Sequence, residues 1–207
     1  SILIKKLLKK QKNISSFGIK IPNFKTPLKT RFINKNNHLF RIDDEDINFK
    51  ITNKYRKLII KKIEHEVKKN DLIILSDYNK GLLDNLLIKK IIKICLKYNK
   101  IIIADPKKTD LSVYSNISML TPNQKEITDA AKKNYLSEKD LIHFGKKLIK
   151  KYKINNLLIT RSEKGMLLID NVSLKKYKTD AKKVTDVTGA GDTVIATIAL
   201  MLALKFT

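Results

Sequence analysis

The chain has little of what usually announces a function. Its single cysteine, Cys95, excludes an internal disulfide. The histidines, His38, His65 and His143, are scattered without metal-ligand spacing, so nothing points to a zinc site. No hydrophobic run is long. The longest, residues 194–204, falls well short of the ~20 residues a helix needs to cross a bilayer. The opening SILIKKLLKKQKN is basic and apolar, yet it lacks a long hydrophobic segment and a small-residue cleavage site. A cytoplasmic protein with no membrane partner is the default expectation. Neither GxxxxGK[ST] nor GxGxxG occurs, which excludes a phosphate site of the Walker type.

Arginine is also scarce. Among 44 basic residues only Arg31, Arg41, Arg56 and Arg161 are arginines, although the formal net charge is +24. Arginine is the favoured reader of bases and phosphates because its planar fork bonds bidentately. The lysines are instead spread over every segment, beside abundant isoleucine and asparagine. That pattern fits a coding bias toward A and T acting on solvated positions, and no nucleic-acid partner is expected. A basic binding protein is the competing class; it predicts salt-sensitive binding to nucleic acid and no nucleotide pocket.

What is present reads as α/β. With 43% hydrophobic residues, 207 residues suffice for one substantial core. LIIL (72–75), IIIA (101–104), LLIT (157–160) and MLLI (166–169) have the character of buried strands. Helical periodicity separates them over 55–69, 84–98 and 137–152, the last opened by a capping box at Ser137 and Asp140. A final helix from Asp192 or Thr193 to about Leu204 is apolar nearly all round and is expected to be buried. TRFINKNNHLFRID (30–43) alternates on both sides of KNN and predicts a hairpin. The sum is one α/β domain with a projecting β element.

Ligands of open α/β sheets bind beyond the carboxyl ends of the strands. Polar clusters stand there in turn: Ser76, Asp77 and Lys80; Asp105 and Lys107; Asn123 and Glu126; Thr160 to Gly165; and VTDVTGAGD. Each alone is an ordinary turn or cap, whereas five on one rim make a site. GAGD keeps two readings. In one it starts a helix capped by Thr188 or Asp192. In the other, Gly189, Ala190 and Gly191 bring backbone N–H groups to an anion, with Asp192 beside it as a base. Lys80 and Lys107 suit phosphate charge, while Glu126 and Asp192 suit a metal–phosphate complex and a proton transfer.

DVTGAGDT (186–193) resembles the C-terminal signature of ribokinase-like carbohydrate kinases, and TPNQKE resembles their N-x-x-E motif. LSDYNKG, ADPK and TRSEKGM, in this order, resemble the kinase half of bifunctional heptose 7-phosphate kinase/heptose 1-phosphate adenylyltransferases. The likeness runs from about Leu28 to Leu204. It implies a three-layer sandwich with a mostly parallel central sheet, and a lid or dimer clasp at 30–43. It makes Asp192 the general base and Gly189, Ala190 and Gly191 the anion hole. Asn123, Gln124, Lys125 and Glu126 would lie along the ATP phosphates, Glu126 acting through magnesium-bound water with no direct metal ligand. The stretch from Thr160 to Gly165 would belong to the nucleotide pocket, and Asp77, Lys80 and Lys107 to the sugar-phosphate side. Asp186 would shape the loop near a monovalent cation. The implied reaction converts heptose 7-phosphate and ATP to heptose 1,7-bisphosphate for lipopolysaccharide cores, in a homodimer.

Two positions depart from the pattern: Asn79 and Ser162 stand where the subfamily has glycine. Asn tolerates positive φ, whereas Ser suggests a loop that does not need it. Against the family, the chain also reads as truncated at both ends, without the N-terminal sugar-binding region or the adenylyltransferase domain. Another sugar-phosphate kinase and an inactive remnant remain the alternatives to heptose phosphorylation.

Overall fold

Alternating side chains in the N-terminal fifty residues produce a β-hairpin. A computed structural model describes residues 2–22, 24, 26–34, 37–46, 49–179 and 189–205. It divides into two compact units, Ser1–Lys50 and Ile51–Thr207. The first holds helix α1 (Ile2–Lys9) and antiparallel strands β1 (Leu28–Asn34) and β2 (Asn37–Asp44). Phe32 pairs with Phe40 across the hairpin, their rings stacked at 4.3 Å between centroids. Arg41 stands opposite Arg31 and turns its Nε to Asp43 Oδ1 at 2.6 Å. Leu28, Phe32, Phe40 and Ile42 are all exposed.

The second unit is built on apolar runs that bury both sides of a strand. Helix α2 (Asn53–Val67) precedes β3 (Leu72–Ser76), and α3 (Asn85–Lys97) leads to β4 (Ile101–Asp105). A 3-10 turn at Leu111–Tyr114 precedes β5 (Met119–Leu120), followed by α4 (Gln124–Ala130) and α5 (Glu138–Tyr152). Then come β6 (Asn156–Thr160), β7 (Met166–Asp170), β8 (Leu174–Tyr177) and α6 (Ala190–Ala203). The six strands lie in the order β3-β4-β5-β6-β7-β8; β3 to β6 pair parallel, and β7 runs antiparallel to both of its neighbours, β6 and β8. The strands expected from the sequence are present, each one residue longer at one end.

Period-two alternation sorts the two faces of the sheet. Ile103, Met119 and Leu158 pack with Ile195 and Ala199 of α6. Leu157 and Ile169 face α5, where Gly145 lets the helix approach closely: a Cβ there would lie 2.8 Å from Ile169 Cδ1 and 3.0 Å from Leu157 Cδ2. Helices therefore cover both faces, which makes three layers. Caps set the helix starts. Asp84 accepts the Leu87 N–H at 2.7 Å and also holds Arg56 of α2, so one carboxylate ties α2 to α3. Ser137 and Asp140 form the expected capping box.

Helix α6 departs from expectation twice. It begins at Ala190 rather than Asp192 or Thr193, and only Ile195 and Ala199 of it are buried. It rests on β3 and β4 by a single stripe, while Leu200 and Leu204 stay 59% and 58% exposed. Uniform apolarity did not imply burial on every side, because burial depends on what lies against the second face. No helix among the described residues is long and apolar enough to cross a membrane.

Candidate active site

The carboxyl ends of β3, β4, β5 and β6 and the start of α6 enclose one cavity of about 670 Å³. Its wall brings Lys107, Asn123, Glu126, Thr160, Gly165 and residues 189–192 together. These come from four separate stretches of sequence. Arg161 and Ser162, within the stretch expected at the nucleotide pocket, line the same wall, and so do Asp105, Tyr78, Lys178 and Thr179, to which the resemblance assigned no role. Their signal in sequence was position only: Asp105 ends β4, Tyr78 lies just past β3, and Lys178 and Thr179 just past β8.

Gly189 is the N-cap residue of α6, at φ +77 and without any side-chain cap. Asp192 is thus the third helical residue, and it does not cap the helix. Thr188 and Asp186, with the rest of 180–188, lie outside the described residues, and with them the proposed cation loop. A Cβ added at Gly189 or Gly191 would meet nothing within 4 Å. At Gly189 the positive φ explains the glycine. Gly191 is helical and unobstructed, so nothing in the fold demands it. Its missing side chain leaves open space in front of first-turn N–H groups that have no intrahelical acceptor. Those groups, at the positive end of the helix dipole, are suited to an anion.

The N-x-x-E spacing proves to be a capping box. Asn123 Oδ1 accepts the Glu126 N–H at 2.9 Å, and Glu126 Oε2 accepts the Asn123 N–H at 2.8 Å. The other oxygen of Glu126 lies 2.5 Å from Lys107 Nζ, which is also 3.6 Å from Asp105 Oδ2. Burial pushes the Asp105 carboxyl up to about 6; Lys107 opposes the shift, while Glu126 and Asp192 add to it. Burial alone would lower Lys107, but its hydrogen bond to Glu126 and the two neighbouring carboxylates raise it and keep it charged.

Asp77 does not line this cavity. It is 2% exposed beneath the rim, accepting the Tyr114 hydroxyl at 2.6 Å and the Asn79 N–H at 2.7 Å, with Lys108 Nζ at 3.5 Å. Lys80 is half-buried on the same loop and is likewise not among the lining residues. Gln124 and Lys125 line a neighbouring cavity of about 700 Å³ that shares Asn123, Thr160, Arg161 and Ser162 with the first. The 123–126 stretch is therefore divided between two cavities.

The loop after β6 is tightly folded. The Arg161 N–H donates to the Gly165 carbonyl at 2.9 Å, and the Gly165 N–H to the Ser162 carbonyl at 3.0 Å. Gly165 sits at φ +75, where a Cβ would lie 1.9 Å from the Tyr177 carbonyl oxygen. Ser162 is at φ +51 and Asn79 at φ +53. Both positions that departed from the glycine pattern adopt left-handed backbone, and the expectation that Ser162 avoids it is corrected. Arg161 is 8% exposed, with Nη1 on Glu138 Oε2 at 2.6 Å and Nη2 donating to the Lys164 carbonyl at 2.9 Å. Its Nε, by contrast, has no partner.

No group of three His, Cys, Asp or Glu among the described residues could hold a metal directly. Magnesium usually takes one or two carboxylates together with phosphate oxygens and waters. Asp105, Glu126 and Asp192 line the cavity, and one or two of these carboxylates beside a bound phosphate fit that mode.

The pfkB family carbohydrate kinase model matches residues 3–205. The Bifunctional protein HldE of Campylobacter fetus is 39% identical over 203 residues, 98% of this chain and 43% of that protein. Its namesake in Helicobacter pylori strain J99 is 39% identical over 194 residues, 93% of this chain and 42% of that protein. The chain thus spans less than half the length of these relatives. Among solved structures, phosphofructokinase-2 from Escherichia coli, in complex with potassium, matches with a TM-score of 0.68 at 17% identity, covering 81% of this chain and 55% of that one. Arabidopsis thaliana ribokinase, complexed with ribose and ATP, matches at 0.58 and 17% identity, covering 76% of this chain and 48% of that one. The fold is therefore ribokinase-like. With a sequence match over nearly the whole chain and the motifs gathered on one sheet edge, the protein belongs to the pfkB family of carbohydrate kinases.

Proposed function

We propose that a protein carrying this chain transfers the γ-phosphoryl group of ATP to the anomeric hydroxyl of heptose 7-phosphate, giving heptose 1,7-bisphosphate and ADP. The observation that carries this reading is Gly191. A helical glycine with open space at its Cβ position is next to Asp192, in the cavity that also holds Glu126 and Thr160. The likeness to the HldE proteins supports the heptose as acceptor.

Phosphoryl transfer asks a protein mainly to position groups and to stabilise charge on the equatorial oxygens. The N–H groups at the start of α6 do so without reorganising, because the helix fixes them. Asp192 takes the proton from the attacking hydroxyl, the new O–P bond forms, and the bond to the ADP oxygen breaks. Glu126, held by its cap to Asn123 and paired with Lys107, lines the phosphate side, and Thr160 and Gly165 shape the nucleotide side. Magnesium, bound with the triphosphate, would supply charge neutralisation through its waters. The resemblance also supports a homodimer, with the exposed β1–β2 hairpin as its contact, and the default compartment is the cytoplasm; sedimentation reads the dimer directly.

The test is ADP release with magnesium and ATP, offering heptose 7-phosphate, fructose 6-phosphate and fructose 1-phosphate in parallel. Preference for the heptose supports the assignment. Preference for a fructose phosphate moves the protein to a sibling kinase, and no release with any acceptor overturns the reading.

A further inference from the structure

Two consecutive lysines follow β4, and the fold treats them differently. Lys108 is only 13% exposed and tied down, with Nζ 3.0 Å from Asn79 Oδ1 and 3.5 Å from Asp77 Oδ2. Lys107 is 35% exposed at the cavity wall, its ammonium on Glu126 Oε1 at 2.5 Å with Asp105 3.6 Å away. Glu126 therefore has both oxygens engaged. One holds a backbone N–H that fixes the start of α4, and the other holds a side chain on a flexible stem. Only the second bond can be exchanged without disturbing a helix.

Helix α6 packs over β3 and β4, and Lys107 stands two residues beyond the end of β4. The lysine and the first turn of α6 thus reach the same cavity, one from the sheet and one from the helix above it. Of the other cations on that wall, Arg161 is held through Nη1 by Glu138 and through Nη2 by the Lys164 carbonyl, and Lys178 lies just past the end of β8. We infer that Lys107 changes partner during turnover: it pairs with Glu126 in the ligand-free protein and moves to the γ-phosphoryl oxygens when a nucleoside triphosphate enters. The inference rests on the kinase reading above.

The exchange gives the lysine one anionic partner in place of another. It frees Glu126 Oε1 as an acceptor when the triphosphate arrives. Lysine suits the task better than arginine, since it is a compact charge on a four-carbon stem and is not held by a bidentate fork. A diphosphate does not reach the γ position and leaves the Lys107–Glu126 pair in place.

Calorimetric titration with magnesium ADP and with a magnesium-bound, non-hydrolysable ATP analogue tests this on wild type, Lys107→Met and Lys107→Arg. Lys107→Met keeps ADP affinity within about twofold but loses at least about tenfold for the analogue, as expected for one charge-assisted contact. Its turnover falls by roughly 10²-fold, the usual consequence of removing one donor to a transition-state oxygen. Lys107→Arg recovers part of the analogue affinity. On wild-type protein, acetylation of the Lys107 amine, followed by mass spectrometry, is slowed more by the analogue than by ADP, and this readout needs no variant to fold. Equal losses for both nucleotides, no loss for either, or equal protection by both overturn the exchange while leaving the kinase reading intact. A wild-type protein that binds neither nucleotide overturns both.

Discussion

The Glu126 carboxylate reaches back three residues to the Asn123 N–H at 2.8 Å, while the Asn123 side chain accepts the Glu126 N–H at 2.9 Å. The residue assigned to the magnesium–phosphate region is therefore also a helix cap. The two roles separate by substitution. Glu126→Gln retains an oxygen for the cap and changes stability by less than about 0.5 kcal/mol. Glu126→Ala loses the cap and about 1 kcal/mol. Both lose turnover, because neither carries the charge. Urea unfolding beside an ADP-release assay reads the split; loss of turnover only in the alanine variant would make Glu126 purely structural.

Ser162 lies in the left-handed region at φ +51. That conformation costs an L-residue about 1–2 kcal/mol, and glycine escapes most of it. Ser162→Gly should stabilise by about 1 kcal/mol, raising Tm by roughly 2–4 °C for a chain of this size. Asn79→Gly should gain less or lose, since the Asn79 side chain accepts from Lys108 at 3.0 Å. Thermal scans of both variants decide the matter; an unchanged Tm for Ser162→Gly would contradict the strain.

Asp105 gives a pH-dependent prediction. Burial raises its folded pKa to about 6 from an ordinary 3.8, Lys107 opposing and Glu126 and Asp192 adding. The folded state binds this proton more tightly than the unfolded chain does. Its contribution to stability is thus fullest below about 3.8 and is lost as pH rises through about 6. Asp105→Asn should stabilise by on the order of 2 kcal/mol at pH 8 and by almost nothing below pH 4. Denaturant midpoints at the two pH values read this directly. Equal effects at both would contradict it.

The sequence showed the strands clearly because a strand buried on both faces needs an unbroken apolar run, and LIIL, IIIA, LLIT and MLLI are such runs. Ser137 and Asp140 could be recognised because a capping box is a local device. The site residues at 123, 126, 160, 165 and 189–192 could be placed by their positions after strands and by resemblance. Other features depend on contacts distant in sequence. Asp77 looked like a rim residue, but Tyr114 and Lys108 draw it beneath the rim. Asp105 acquires its raised pKa only through burial beside Glu126 and Asp192. Likewise, α6 read as buried because composition does not reveal which of its faces meets the sheet.

Turnover of Asp192→Asn with heptose 7-phosphate tests the central claim most directly, with nucleotide affinity measured on the same sample. A general base is typically worth ~10²–10⁴-fold. The carboxamide should lose that much while the fold and ATP binding persist, since Asp192 caps no helix and its side chain is exposed. A folded Asp192→Asn protein that turns over at the wild-type rate would show that GAGD only begins a helix, and that the proton leaves by another route.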